Sequence, residues 1–154
     1  MNHFMRAHGY LPGPTQRPVL AGLVTGAGAS IASLSLAWSS GALTAIADNT
    51  GVHLATAASA FTAVTLFGGA LYGRVFMRAA NDREGGWLFG IGFGFLLWML
   101  GPSTLLYWLW QAPLVTGRAS QALFAAHLLF GLVLGIAFPH VHTFIERRRA
   151  CPSH

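Results

Sequence analysis

The sequence predicts an all-α polytopic membrane protein whose core is a four-transmembrane-helix bundle. Two observations carry this prediction. Charged residues make up 8% of the chain and hydrophobic residues 54%, whereas a soluble domain is about 25% charged, so lipid is the expected solvent. Four apolar runs are each about 20 residues long or longer, the length at which a helix crosses a hydrocarbon core about 30 Å thick. Strands are excluded because their open backbone has no hydrogen-bond partners in lipid.

The four helices are expected within a transmembrane domain that covers residues 19–139. A polar arm over residues 1–18 precedes it, and Pro18 suits the first turn of a helix. The segment Asp48-Asn-Thr-Gly51 is typical of a turn. Pro139 is expected to end the fourth helix, which leaves a tail over residues 140–154. The predicted helices are 19–47, 52–77, 86–110 and 119–138, and Gly101-Pro102 predicts a kink inside the third.

The basic residues are all arginines, and eight of the nine fall on one side of the predicted bundle. Only Arg118 lies on the other side. The positive-inside rule therefore predicts a bacterial inner-membrane protein with its N-terminus and its C-terminus in the cytoplasm. Because this topology explains the net charge of +5, no nucleic acid is predicted as a partner. The cytoplasmic arginines are Arg6, Arg17, Arg74, Arg78, Arg83, Arg147, Arg148 and Arg149.

A weak internal repeat predicts that the bundle consists of two tandem helical hairpins. Glycines of the second and fourth runs correspond at an offset of 62 residues, and glycines of the first and third runs at an offset of 64. Each hairpin contains two helices, so the repeats are expected to be parallel. The alternative, that any two glycine-rich membrane helices align this well, stays open. The pairs are Gly69 with Gly131, Gly73 with Gly135, Gly22 with Gly86, Gly26 with Gly90 and Gly28 with Gly92.

Small residues form a stripe along each predicted helix. Since no hydrophobic effect pairs helices in lipid, close packing of backbones at small residues has to hold them together. Two alternatives stay open: these faces build only the bundle of one chain, or some of them dock other subunits. The predicted packing residues are Gly22, Gly26, Gly69, Gly73, Gly86, Gly90, Gly94, Gly131 and Gly135.

His127 is the ionisable residue that lies well inside a predicted helix. Its spacing from Gly131 and Gly135 places it on a helix–helix interface, and an ionisable residue in the membrane interior is a candidate functional site. Three roles stay open: a neutral imidazole that donates a hydrogen bond to serine, threonine or backbone in a neighbouring helix, a ligand of a quinone or pigment, and a proton relay. A bis-histidine haem is disfavoured because His53 lies too near the outer end of the second helix.

The other candidate groups predict little chemistry. His140 and His142 are expected to be solvated at the membrane interface, since two histidines alone make an incomplete metal site. Cys151 is the single cysteine and has no partner for a disulfide. No carboxylate lies inside an apolar run, which argues against an ion-coupled transporter. Neither a metal site nor a catalytic motif is found, so the chain is expected to be non-catalytic. No cofactor is predicted, with pigment, quinone and lipid kept as alternatives.

Two glycine-rich segments resemble those of the YagU-type inner-membrane proteins. They are Gly86-Trp-Leu-Phe-Gly90 at the start of the third helix and Ala126-His-Leu-Leu-Phe-Gly131-Leu-Val-Leu-Gly135 in the fourth. The resemblance covers roughly residues 20–140. It implies a small protein of about four membrane helices with no assigned activity, and it carries over no catalytic residue. It places His127 in a His-Leu-x-x-Gly segment that is similar to the family's.

The expected function is that of an accessory or scaffold subunit packed against a larger membrane complex of respiratory or photosynthetic type. The expected partners are the lipid bilayer and either other membrane subunits or further copies of the chain in a homo-oligomer. The alternative is a small-solute transporter or channel-like protein. A third hypothesis is a cofactor- or pigment-binding protein that uses His127.

Overall fold

A computed structural model describes residues 17–80, 84–111, 113 and 115–150. Within these residues all regular structure is helical, so the predicted all-α fold is confirmed. Arg83, Cys151 and the arm up to residue 16 lie outside the described residues. The α-helices are α1 (Pro18–Ser39), α2 (Ala42–Thr50), α3 (Leu54–Ala80), α4 (Gly86–Trp98), α5 (Leu106–Trp110) and α6 (Gly117–Ala150), and a π-helical segment, π1 (Met99–Leu105), joins α4 to α5.

Four helical spans are long and apolar enough to cross a membrane, which confirms the predicted four-helix membrane bundle. The spans are Pro18–Ser39, Leu54–Phe76, Gly86–Leu109 and Gly117–Ile145. Helix α1 packs closely on α3, α4 packs closely on α6, and α1 also packs on α6. Helices α3 and α4 touch over a shorter stretch. The four helices therefore form a ring in chain order, and the two hairpins meet mainly through α1 and α6.

Two apolar clusters fill the ring, one near each end. We call the end where α1 and α4 begin the basic end, since most arginines are near it, and the other the opposite end. Near the basic end, small residues of α1 face large side chains of the other helices. The members there are Ala21, Ala29, Tyr72, Phe93, Phe130, Leu134 and Phe138. The cluster near the opposite end contains Ala37, Ala42, Leu43, Phe61, Val115, Leu123 and Ala126.

The first apolar run forms two helices, α1 and α2, and not the single helix expected over 19–47. Gly41 separates them with φ +75°, a left-handed conformation that glycine adopts without steric cost. Helix α2 continues to Thr50, so the turn expected over 48–51 is reduced to Gly51, with φ +71°. Leu43 of α2 is fully buried, and α2 packs against α3 and α6. The short helix thereby closes the opposite end of the bundle.

Helix α6 does not end at Pro139 as expected but continues to Ala150. A proline inside a helix removes one backbone hydrogen bond, and in membrane proteins neighbouring groups can compensate for it. Pro139 is buried in the bundle, and the bond it lacks is the one to the carbonyl of Gly135, four residues earlier. The Thr143 hydroxyl donates to the carbonyl of Pro139 at 2.7 Å, which joins the next turn to the proline without replacing that bond. The first eleven residues of the predicted tail are therefore helical.

The irregularity expected at Gly101-Pro102 takes the form of π1. Pro102 has no N–H to donate to the preceding turn, and a π-helix is the rare, wider alternative to the α-helix. Ser103 Oγ donates to the carbonyl of Trp98 at 3.3 Å, the acceptor that an α-helical N–H at position 102 would use, so a side chain partly replaces the lost backbone donor.

Candidate functional site: two glycine seams and His127

The first seam is the contact between α1 and α3 at Gly22, Gly26, Gly69 and Gly73. A Cβ added to Gly26 would lie 2.9 Å from the Cα of Gly69, and one added to Gly73 would lie 3.2 Å from the Cα of Gly22. Contacts under 3.0 Å essentially never occur for real Cβ atoms. The two backbones therefore touch directly, which gives the van der Waals contact that holds helices together in lipid.

The second seam is the contact between α4 and α6 at Gly86, Gly90, Gly94, Gly131 and Gly135. A Cβ added to Gly90 would lie 2.7 Å from the Cα of Gly135, and one added to Gly131 would lie 2.9 Å from the backbone N of Gly94. The structure thus places each of the nine glycines singled out in the sequence at a contact between two helices of the same chain.

The two seams share one register, which follows the offsets of 64 and 62 residues that the repeat predicts. At each level, a glycine of the first helix of a hairpin meets a glycine of the second helix. The matching contacts are Gly26 with Gly69 and Gly90 with Gly131, then Gly22 with Gly73 and Gly86 with Gly135.

One turn further from the basic end, the two seams differ. The first seam has Ser30 opposite Thr65, and the hydroxyl oxygens of these two buried residues are 2.8 Å apart. In the second seam, Gly94 and His127 occupy the corresponding positions. A Cβ added to Gly94 would meet the carbonyl of His127 and lie 3.2 Å from the Cα of Gly131. A hydroxyl pair in the first hairpin is thus replaced by direct backbone contact in the second.

The His127 side chain lies inside the bundle and faces α3. Only 3% of its surface is exposed, and its ring packs edge to face against Phe61, with 5.5 Å between the ring centroids. Its Nδ1 lies 2.8 Å from the carbonyl oxygen of Leu123, one turn earlier in α6. The acceptor is therefore in the same helix, and not in a neighbouring helix as expected, because the long imidazole reaches back along α6 to the preceding turn.

The hydrogen bond to Leu123 determines where a neutral His127 ring carries its hydrogen. A carbonyl oxygen only accepts, so the hydrogen is on Nδ1 and the lone pair is on Nε2. Among the described residues, Nε2 has no hydrogen-bond partner. Such a lone pair can accept a hydrogen bond from an O–H group or coordinate a metal centre. In metal sites, a histidine that binds through one nitrogen commonly donates from the other to a backbone carbonyl.

An aromatic cluster around Tyr72 joins α3, α4 and α6, and the sequence analysis missed it. The Tyr72 ring centroid lies 5.1 Å from that of Phe76, 5.3 Å from that of Phe93 and 5.6 Å from that of Phe138. The Tyr72 hydroxyl donates to the carbonyl of Gly86 at 3.3 Å. The available signal was a phenol inside an apolar run, since a buried tyrosine hydroxyl usually finds a partner.

The two histidines beyond Pro139 have different surroundings. His140 is exposed, but only 4% of the surface of His142 is exposed, and its ring stacks on Phe138 with 6.2 Å between centroids. The expectation of a solvated side chain is wrong for His142, because the continuing α6 carries it back against the bundle. Within the described residues, no group of three histidine, cysteine or acidic side chains is arranged to hold a metal ion.

Comparison of the chain with protein-family models, with curated proteins and with solved structures gives no match.

Proposed function

We propose that the chain is a non-catalytic structural subunit of the bacterial inner membrane, with both termini in the cytoplasm, and that it packs against a larger membrane complex. The observation that carries this proposal concerns the residues of π1 and α5, Met99–Trp110, which we call the outer segment. It forms the second half of the third span. Its close contacts are within the segment and with α4, which directly precedes it, whereas the other described helices pack on one another.

The backbone of the outer segment is compatible with either lipid or protein around it. A proline in a membrane helix is tolerated where a π-helical turn and a serine hydroxyl satisfy the backbone groups that it frees. Pro102 lies in such a turn, and Ser103 supplies the hydroxyl. A crevice of about 170 Å³ separates this segment from the start of α6, which leaves the rest of its surface for a neighbouring subunit.

The side chains of the outer segment indicate that it is the docking surface. Leu100, Tyr107, Trp108 and Leu109 each have more than half of their surface exposed, and aromatic residues are enriched in the cores of protein interfaces. The glycine seams are already occupied within the chain. We therefore assign docking to the outer segment and not to the small-residue faces.

Photo-crosslinking from two matched positions tests this surface. Trp108 of the outer segment is 70% exposed and Phe67 of α3 is 69% exposed, so exposure alone does not distinguish them. A crosslinking amino acid at position 108 is expected to capture a discrete membrane protein that co-purifies in fixed stoichiometry. The same amino acid at position 67 is expected to capture lipid. Lipid adducts alone at both positions would contradict the proposal.

Orientation and the transporter alternative need separate measurements. Reporter fusions at residues 1 and 154 are expected to read cytoplasmic, and an insertion within residues 111–118 is expected to read periplasmic, since eight of nine arginines flank the other side.

No carboxylate lies in the four spans, which disfavours ion-coupled transport. Reproducible solute flux by the purified chain alone in liposomes would replace the structural proposal with the transporter.

A second candidate function, binding of a cofactor or pigment, is favoured by one observation at His127. The bond from Nδ1 to Leu123 orients the ring and presents the lone pair of Nε2 within the membrane interior. The absorption spectrum of the gently purified protein tests this candidate. A visible band that His127→Gln removes, while the helical fold survives, would support ligand binding. A spectrum with protein absorption alone would refute it.

A further inference from the structure

We propose that the crevice between the outer segment and the start of α6 binds the uncharged ring of a membrane-dissolved quinone. The crevice has a volume of about 170 Å³. A protein cavity of about 150 Å³ takes one benzene ring, so the space fits a single six-membered ring. It is a different place from the His127 site, because the His127 ring packs against α3 and the crevice lies between α6 and the outer segment.

Three side chains that carry a hydroxyl line the crevice, and two of these hydroxyls can bond to a ligand. Ser103 and Tyr107 belong to the outer segment, and Ser120 belongs to the first turn of α6. The Ser103 hydroxyl already donates to carbonyls of the preceding turn. Within the part of the chain that the structure describes, the hydroxyls of Tyr107 and Ser120 have no hydrogen-bond partner. A ligand in the crevice therefore has one O–H donor beside it on each side.

One wall of the crevice is aromatic and is held in place by other rings. The indole of Trp98 lies 4.8 Å from the ring centroid of Phe124 in α6 and 6.2 Å from that of Phe95 in α4. Val115, a buried member of the apolar cluster near the opposite end, belongs to the same lining. A small-molecule site typically combines such apolar and aromatic walls with a few polar groups. A flat ring can pack on this wall in an offset-stacked or edge-to-face arrangement.

The polar groups of the crevice select an uncharged ligand that accepts hydrogen bonds. Among the described residues that line it, none is charged, so a phosphate or carboxylate would be desolvated without a compensating cation. The hydroxyls of Tyr107 and Ser120 can donate to carbonyl oxygens. A quinone carries two carbonyl oxygens on one flat ring, and its apolar tail can stay in the lipid. Phospholipid esters offer the same acceptors, but they have no ring to place against Trp98.

Isothermal titration calorimetry of the full-length protein in neutral detergent tests the proposal with two matched ligands. Decyl-benzoquinone has the ring, the carbonyls and an apolar tail, whereas decylbenzene has the same ring and tail without the carbonyls. The quinone is expected to bind saturably and roughly tenfold more tightly, since decylbenzene forms neither hydrogen bond. Excess phosphatidylcholine is expected not to displace it. Equal affinity for the two ligands, or no saturable binding of the quinone, would overturn the proposal. Displacement by phosphatidylcholine would also overturn it and would assign the crevice to lipid ester groups.

Two variants that each remove one hydroxyl locate the site. Ser120→Ala and Tyr107→Phe are each expected to weaken quinone binding roughly twofold to tenfold, the range for one hydrogen bond. Their affinity for decylbenzene should stay that of the wild type, which separates a lost hydrogen bond from a collapsed crevice.

Ser35→Ala is the matched control, because Ser35 is an exposed serine of α1 and does not line the crevice. It should leave quinone binding unchanged. Each variant is first compared with the wild type in its melting temperature without ligand. Wild-type quinone affinity in both Ser120→Ala and Tyr107→Phe would overturn the proposal, and so would an equal loss in Ser35→Ala.

Discussion

The two hairpins of this chain have the same backbone register but different chemistry at one level of their seams. In both, two pairs of glycines bring the helices into backbone contact near the basic end. One turn further, the first hairpin has a hydroxyl pair, Ser30 and Thr65, at 2.8 Å. The second has Gly94 against the backbone of His127, whose side chain points away from the seam towards Phe61.

The difference shows that close backbone contact, and not a particular polar bond, is common to both hairpins. In the first seam, Ser30 and Thr65 each also bond to carbonyls of their own helices, so the helices do not depend on each other for hydrogen bonding. In the second seam, the hydroxyl pair is absent and the backbones stay in contact for one more turn. At the position that corresponds to Thr65, the second hairpin carries a longer side chain, that of His127.

The largest loss in the free energy of unfolding is expected when a Cβ is added inside a glycine seam. Gly90→Ala adds one inside the second seam, and Gly92→Ala adds one outside it. A Cβ at position 90 meets backbone atoms of α6, whereas a Cβ at position 92 has nothing within 4 Å. Overpacking typically costs about 1–3 kcal/mol, so Gly90→Ala should lower the free energy of unfolding by this amount. Gly92→Ala should be neutral or slightly stabilising, since alanine favours helix. Unfolding in mixed micelles, followed by circular dichroism, measures both.

The same measurement on the first hairpin tests whether the seams are equivalent. Gly26→Ala should cost as much as Gly90→Ala, and Gly28→Ala should be as harmless as Gly92→Ala, because Gly28 is also open. A large loss for one hairpin with none for the other would mean that only one seam holds the bundle together.

The next largest loss of stability is expected when the residue of one seam is placed at the corresponding position of the other, at positions 94 and 30. Gly94→Ser places a Cβ against the carbonyl of His127, and backbone cannot move aside, so a loss of about 1–3 kcal/mol is expected. Ser30→Gly removes a side chain and its bond to Thr65, at a combined cost of about 1 kcal/mol for the glycine and the lost bond. Thermal unfolding of the two variants in one detergent compares them. Equal losses would contradict the claim that the second seam is closer at this level.

The glycine pattern was sufficient to predict the seams, but several other features required three-dimensional information. Offsets of 62 and 64 residues in the sequence reappear as matched contacts, since close approach in lipid needs glycine and glycine is visible in a sequence. The break at Gly41 was missed because an apolar run continues on both sides of it. Pro139 was misleading because a proline inside a membrane helix is tolerated at the cost of one backbone hydrogen bond, so its presence alone does not end the helix.

The hydrogen-bond partner of His127 could not be predicted for a related reason. A stripe that contains Gly131 and Gly135 correctly suggests burial, but it does not say whether the imidazole reaches across to another helix or back along its own. The structure shows the second arrangement. Tyr72 illustrates the same limit, because its partner, the carbonyl of Gly86, is a backbone atom that any residue would supply.

A smaller effect is expected at His127, and its size separates a packing role from a binding role. In His127→Leu, the carbonyl of Leu123 keeps the backbone N–H four residues later as its donor, and leucine replaces most of the buried volume. The loss should therefore stay near or below about 1 kcal/mol, within the range for side-chain hydrogen bonds between membrane helices. His127→Gln should behave similarly in the same unfolding assay. A markedly larger loss, restored by an added ligand, would show that Nε2 has a partner.

The smallest effect is expected from the hydroxyl pair that distinguishes the first hairpin. Ser30 Oγ lies 2.8 Å from Thr65 Oγ1 and 2.7 Å from the carbonyl of Gly26, so one hydroxyl hydrogen serves two acceptors. Thr65→Val, which keeps the shape, should cost about 0.6 kcal/mol, the average for such bonds in a membrane protein. A double-mutant cycle with Ser30→Ala isolates the bond between the two residues from their bonds to the backbone. A coupling energy above about 1.7 kcal/mol, the largest value seen for such pairs, would mean that the hydroxyl pair, and not glycine contact, dominates the first seam, and the equivalence of the hairpins would fail at that level.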